Sequence, residues 1–211
     1  MIKRMKFHSD STASKWYDQR FSEFGAFETS TKYNQLMLKW LGINSKTDKK
    51  LLDIGCGGGF FLKEAEKFLE CIGIDFSLVA LKQAKKNCNS KLVLTSALNL
   101  PFKDNSFDFV SCLGSLEHFI NLNKALNEIN RVLKKDGKIN IYVPNSNFIL
   151  FKLNKATYHQ PNERLASLKE WKKLIGKYFT IEKVFKHTNN PLGTIIPLNY
   201  TYSFSFICSS Q

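Results

Sequence analysis

Cysteine is sparse in this chain, 5 in 211 residues, and its placement argues against a disulfide framework. Cys56, Cys71, Cys88, Cys112 and Cys208 are odd in number and scattered, and none forms a C-x-x-C pair. Several fall inside apolar strand patterns, as reduced core cysteines of a cytoplasmic protein do. The 4 histidines lie too far apart for a metal-ligand spacing, so no metal is expected. No run approaches the roughly 18 apolar residues of a membrane span. Met1-Ile2-Lys3-Arg4-Met5-Lys6 is basic but leads into no apolar core or cleavage site, so no secretory signal is expected. Acidic residues are few, 18 against 31 basic, for a net charge of +13. That balance invites a nucleic-acid or anionic-membrane partner. The lysines, however, are spread over nearly every expected helix (Lys63, Lys67, Lys82, Lys85, Lys134, Lys172 among them), with no stripe and no basic tail. A solvated surface accounts for them better. Internal repeats and low-complexity segments are absent as well.

What is present is concentrated in Leu51-Leu52-Asp53-Ile54-Gly55-Cys56-Gly57-Gly58-Gly59-Phe60. It reads as an apolar strand running into a glycine-rich turn and then a helix. Such a turn brings bare backbone N–H groups and a helix N-terminus against a ligand. Asp75 follows Gly55 by 20 residues, at the end of the apolar run Cys71-Ile72-Gly73-Ile74. At that spacing a carboxylate reaches the ribose hydroxyls of a nucleoside. Phe60 stands where the dinucleotide pattern G-x-G-x-x-G needs its third glycine, which disfavours a nicotinamide-dependent dehydrogenase. A turn without ligand is the competing reading, and the alternate glycines together with the spaced acid weigh against it.

A chain of 211 residues suits one domain, 1–211. Residues 1–48 are polar with interleaved aromatics and form an expected helical cap. Leu36, Leu38, Trp40 and Leu41 mark a helix that leads into Gly42. Residues 49–144 form the cofactor-binding core. Phe61, Leu62, Ala65 and Phe68 repeat at helical spacing, and Ser77 is a candidate N-cap. Leu92–Leu94 reads as a short buried strand and Phe107–Leu113 as another. The helical face of Ala125, Leu126, Ile129, Val132 and Leu133 is expected to end at Asp136-Gly137, before a strand from Lys138 to Val143 that Pro144 stops. Residues 145–211 form a substrate-side segment and a final helix-strand-strand. Ser167 and Glu170 make a capping box ahead of Leu168, Trp171, Leu174 and Ile175, with Gly176 as terminator. Ile181–Phe185 alternates weakly. Tyr200, Tyr202, Phe204 and Phe206 alternate with Thr201, Ser203 and Ser205 as a strand, and Pro191-Leu192-Gly193 and Pro197 lie in the connection. Strands alternating with helices imply a parallel α/β sheet, and two successive strands at the end imply one antiparallel member.

Four segments together resemble the class I S-adenosylmethionine-dependent methyltransferases. Asp53, Gly55, Gly57 and Gly59 match the D-x-G-x-G-x-G turn of that superfamily. Leu100-Pro101-Phe102-Lys103-Asp104-Asn105-Ser106-Phe107-Asp108-Phe109-Val110 is similar to its L-P-F-x-D-x-S-F-D-x-V stretch. Leu116-Glu117-His118 resembles its L-E-H motif, and Arg131–Lys138 its R-V-L-K-P-G-G turn, with Lys135-Asp136 in place of Pro-Gly. The flavour is that of small-molecule, ubiquinone-pathway O-methyltransferases. The resemblance implies a Rossmann-like three-layer sandwich around a mostly parallel seven-stranded sheet with one antiparallel strand near the C-terminus. It implies S-adenosylmethionine as cofactor and S-adenosylhomocysteine as product. Gly55, Cys56 and Gly57 would then pass under the methionine and ribose, and Asp53 would help hold the amino end through water. Asp75 would bind the ribose, Phe76 would lie against adenine, and Leu113 would line the cofactor near its sulfur. Ser96, Ala97 and Leu98 sit where the superfamily often has an Asp-Ala, so a hydroxyl replaces the acid that receives the adenine amino group. Tyr17 would close over the methyl end, with core packing as the alternative.

The implied reaction is methyl transfer to a small-molecule hydroxyl, with His118 as base and Glu117 as a residue that orients it or makes a structural contact. Packing of His118 against the turn after the fourth strand is the competing reading. His8, His159 and His187 are expected at the surface. Gly114 and Ser115 stand where some relatives add a metal-binding acid, so no metal is implied. A nucleic-acid methyltransferase is the runner-up, disfavoured because Leu113-Gly114-Ser115-Leu116 holds no (D/N)-P-P-(Y/F). A non-catalytic cofactor-binding module rests only on Ser96. The acceptor pocket is expected from residues 1–30, 145–165 and 187–199. Asn147–Phe151 with Lys152 and Lys155 is either a lid for an isoprenoid or lipid acceptor or a helix extending into the core.

Overall fold

Short apolar runs that alternate with amphipathic segments fold as a layered α/β sheet in the computed structural model, which describes residues 7–148, 163–187 and 197–211. In chain order the helices are α1 (Asp10–Phe24), α2 (Thr31–Leu41), α3 (Phe60–Ala65), α4 (Leu78–Asn87), α5 (Leu122–Val132) and α6 (Leu168–Ile175). The strands are β1 (Lys50–Ile54), β2 (Glu70–Asp75), β3 (Lys91–Leu94), β4 (Phe107–Leu113), β5 (Leu133–Pro144), β6 (Phe179–His187) and β7 (Ser203–Ser210). They form one seven-stranded sheet in the order β3-β2-β1-β4-β5-β7-β6. β1 to β5 run parallel, and β7 is antiparallel to both of its neighbours. The order reverses between β1 and β4, which opens a crevice at the carboxyl ends of the strands.

Alternate strand residues feed two apolar clusters on opposite faces of the sheet. Leu52, Ile54, Val110 and Cys112 join α5 and α6 in one. Leu51 and Phe109 join α2 and α3 in the other. Trp171 of α6 is fully buried and donates its indole N–H to the Pro144 carbonyl at 2.8 Å. The Ser167–Glu170 capping box forms as the sequence implies, and Ser77 caps α4.

Several elements depart from expectation. α5 ends at Val132, and Leu133 already belongs to β5. The backbone N–H groups of Asn105 and Ser106 take the Arg131 and Val132 carbonyls. Register then jumps from Phe107–Leu133 to Phe109–Lys138, so Lys134–Gly137 bulge from the ladder rather than end a helix. β3 is an edge strand whose Leu94 is 53% exposed, not a buried one. β7 begins only at Ser203, and Tyr200 lies in the 3-10 turn Leu198–Tyr200. Ser203 and Ser205 are as buried as Phe204 and Phe206, because β7 is interior and α2 covers its polar face. His187 is buried as well, 2.9 Å from Ser205 Oγ, and burial lowers its pKa to about 4. His159 and the Pro191-Leu192-Gly193 turn lie outside the described residues.

Candidate functional site

The glycine turn leaves β1 through residues at positive φ: Gly55 at 69°, Gly57 at 51° and Gly59 at 76°. A Cβ on Gly55 would stand 2.5 Å from Ser115 Oγ, which donates to the Ile54 carbonyl at 2.9 Å. The turn is thus pinned to the loop after β4 with no side chain between. Four of its N–H groups are not bare, and Gly59 donates to the Cys56 carbonyl at 2.9 Å. Gly55 and Cys56 both donate to the Ile74 carbonyl at 2.9 Å, and Gly57 donates to Asp75 Oδ2 at 2.9 Å. Gly57 leaves open space beside the backbone, its added Cβ meeting nothing nearer than Phe21 at 3.9 Å, whereas Gly58 and Gly59 are packed against Ala26 and Ala84.

Above the turn lies a cavity of about 580 Å³ at the carboxyl ends of β1, β2 and β4. Every residue assigned from sequence lines it: Tyr17, Asp53, Gly55, Cys56, Gly57, Asp75, Phe76, Ser96, Ala97, Leu98, Leu113 and His118. Asp75 is held at both oxygens, Oδ2 by Gly57 N–H and Oδ1 by Ser77 N–H at 2.9 Å. Each oxygen keeps a lone pair for a ligand hydroxyl. Asp53 accepts from Ser111 Oγ at 2.7 Å. The Ser96 hydroxyl pairs with Asp10 and accepts from Leu98 N–H at 3.1 Å. The Phe76 ring lies 5.4 Å from that of Tyr17. His118 ends the 3-10 turn Leu116–His118, its Nε2 3.9 Å from Glu117 Oε1.

Sequence reasoning did not find Asp10, Tyr33, Tyr142 or Tyr202 on this cavity, nor Glu117 as a wall of it. These residues come from elements remote in sequence and carry no local signature. Of the expected acceptor regions, Tyr17, Phe21 and Phe27 do line the cavity, whereas most of 145–165 and 187–199 lies outside the described residues. The proposed lid is likewise outside them beyond Asn147 and Phe148.

The cavity is lined by acids in a chain of net charge +13. Asp10, Glu28, Asp53, Asp75 and Glu117 line it, and among the described lining residues there is no lysine or arginine. Burial raises Asp53 to about 7 against the Ser111 hydrogen bond, and Asp75 to about 6 against its backbone hydrogen bonds. Burial, opposed by a backbone hydrogen bond and reinforced by Glu163, raises Glu117 to about 8, and its Oε2 has no hydrogen-bond partner. No group of three metal-ligating side chains occurs among the described residues.

The raised carboxylates set a pH dependence of stability. The folded state favours their protonated forms, so their contribution is fully present below about pH 4 and is lost as pH rises through 6 to 8. Cofactor-free protein is expected to lose on the order of 2 kcal/mol between pH 5 and 8, with water entry discounting the full linkage. Denaturant melts over that range check this. Asp53→Asn should flatten the slope, and an unchanged slope would refute the assignment to Asp53.

An α/β sheet with a glycine turn at its switch point, a held carboxylate at the next strand end and an acid-lined cavity defines a nucleoside-cofactor protein. Residues 52–141 match the methyltransferase domain family. An uncharacterized protein of Methanocaldococcus jannaschii is 36% identical over 64% of this chain and 60% of its own length. The demethylmenaquinone methyltransferase of Staphylococcus aureus is 37% identical over 60% of this chain and 54% of its own. The chain thus spans between half and two thirds of these relatives. A geranyl diphosphate C-methyltransferase of Streptomyces coelicolor, crystallised with Mg2+, geranyl diphosphate and S-adenosylhomocysteine, shares the fold. It superposes with a TM-score of 0.69 over 86% of this chain and 79% of its own, at 14% identity. Residues 52–141 thus match a methyltransferase domain, and the fold around them is the Rossmann-like fold of S-adenosylmethionine-dependent methyltransferases. S-adenosylmethionine is the cofactor expected of that family. The residues fit it: a glycine turn left open at Gly57, Asp75 with lone pairs to spare, and acids lining the cavity that a cationic ligand would enter.

Proposed function

We propose that the protein transfers a methyl group from S-adenosylmethionine to a hydroxyl of a small-molecule acceptor. The observation that carries this is the acid-lined cavity over the glycine turn. Bound there, S-adenosylmethionine supplies a methyl group on a sulfonium, whose positive charge already activates the leaving sulfur for in-line displacement. Asp75 would accept from the ribose hydroxyls, while Asp53 would hold the amino end and Gly55–Gly57 would run beneath it. Phe76, Ala97 and Leu98 would enclose the base, and Leu113 and Tyr17 would flank the methyl end. The protein's remaining work is to position the acceptor, exclude water and take the hydroxyl proton. His118 is assigned the last task.

The demethylmenaquinone methyltransferase relative supports a small-molecule acceptor. Acids line the cavity and no described lysine or arginine does, which weighs against a nucleic-acid substrate despite the net charge of +13. The test is calorimetry with S-adenosylhomocysteine, followed by methyl transfer from radiolabelled S-adenosylmethionine to a panel of phenols, quinols and aliphatic alcohols. Micromolar binding and label in at least one hydroxyl compound are expected. Binding without turnover across the panel would point to a non-catalytic module. Absence of binding would overturn the proposal.

A further inference from the structure

α1 is fastened to the nucleoside side of the cavity by bonds that none of the roles above uses. Asp18 Oδ1 accepts from Ser77 Oγ at 2.6 Å and from Val79 N–H at 3.1 Å, so it joins α1 to the start of α4. Ser14 Oγ donates to the Phe76 carbonyl at 2.8 Å, and Gln83 Nε2 donates to the Phe21 carbonyl at 2.9 Å. These ties hold the middle turns of α1 over the loop after β2 and the start of α4, with the helix's first residue, Asp10, at the carboxyl end of β3. There Asp10 Oδ2 meets the Ser96 hydroxyl, which also accepts from Leu98 N–H at 3.1 Å. Ser96 thereby spends its one donor on Asp10. Asp10 Oδ1 has no hydrogen bond to any described residue, and Asp10 lines the cavity while remaining partly open to it.

The sheet order gives this corner its meaning. A nucleoside whose ribose rested on Asp75 at the end of β2, with its base pointing away from β1 and toward β3, would place that base by Phe76 and Leu98, with its polar edge near Ser96 and Asp10. At the 6-position itself a 6-aminopurine presents a donor and a 6-oxopurine an acceptor, the 6-oxopurine's only donor on that edge being N1–H one atom along. A carboxylate only accepts, so one aligned with the 6-substituent favours the first and repels the second.

We propose that Asp10, carried by α1 and oriented by Ser96, reads the 6-amino group of the cofactor's adenine. This rests on the cofactor assignment above and adds to it a specificity-determining residue from outside the motif-bearing core. The test compares S-adenosylhomocysteine with its 6-oxo counterpart, S-inosylhomocysteine, by calorimetry on the full chain. Wild-type protein should prefer the amino form. Asp10→Ala should weaken S-adenosylhomocysteine by about tenfold or more, the scale of one hydrogen bond to a charged group. It should change the 6-oxo ligand by less than about threefold on that same scale. Asp10→Ala combined with Ser96→Asp should restore the preference by returning a carboxylate to the same edge, which also guards against a variant whose only fault is a loosened helix. Equal weakening of both ligands by Asp10→Ala, or no weakening of either, would overturn the proposal. Wild-type protein that binds S-adenosylhomocysteine without discriminating would overturn the role of Asp10 alone. Wild-type protein that binds neither ligand would remove the cofactor assignment, and the role of Asp10 with it.

Discussion

Replacing Asp75 by alanine is expected to weaken S-adenosylhomocysteine binding by about a hundredfold or more, with the fold intact. The estimate follows from two hydrogen bonds to a charged acceptor, each about 1.5–3 kcal/mol, with a tenfold change for every 1.4 kcal/mol. Gly57 N–H and Ser77 N–H fix the carboxylate from both sides before any ligand arrives, so little side-chain freedom remains to be lost on binding. The same geometry predicts that Asp75→Asn is no rescue. The two backbone donors sit on different carboxylate oxygens, so whichever position the amide nitrogen takes, it would face an N–H. Calorimetry on both variants checks this, with thermal melts as control for folding. An affinity within threefold of wild type for Asp75→Ala would remove the ribose assignment. Ordinary affinity for Asp75→Asn would mean that the backbone clamp is not what orients the group.

The cavity floor was legible in the sequence because it is built locally. β1, its turn and the acid ending β2 sit at spacings that short-range geometry dictates, and the residues named from those spacings converge on one cavity. The roof was not legible. Asp10 meets Ser96 across 86 residues, and Tyr33 and Tyr142 converge from α2 and β5. Such approaches depend on how helices lie over the sheet, which no local pattern states. Two misread elements have the same origin. Leu133 continues the helical spacing of Leu126 and Ile129, but pairing with Phe107 pulls it into β5. Ser203 and Ser205 read as a solvent face by polarity, yet they bond Tyr142 and His187 under the cover of α2. In both places a tertiary partner overrides a correct local period.

Replacing His118 by alanine is expected to lower kcat for a hydroxyl acceptor by about a hundredfold or more, the usual contribution of a general base, while KM for S-adenosylmethionine stays near wild type. The 3-10 turn Leu116–His118 sets the ring at the crevice beside β4, its centroid 6.2 Å from that of Tyr17. At 3.9 Å the Glu117 carboxyl is too far to hold the imidazole by a hydrogen bond. Glu117, raised to about 8 by burial, is also largely protonated at neutral pH. It therefore supplies little negative charge to trap His118 as an imidazolium, and a neutral imidazole is the form that accepts a proton. Glu117→Gln, which fixes that group neutral, should therefore leave kcat at neutral pH within about threefold of wild type. In His118→Ala, added imidazole should recover part of the rate. A kcat within about threefold of wild type in His118→Ala, or no recovery by imidazole, would make His118 a packing residue of the turn. The proton would then have to leave by another route, with Glu117 as the nearest buried carboxylate on the same wall.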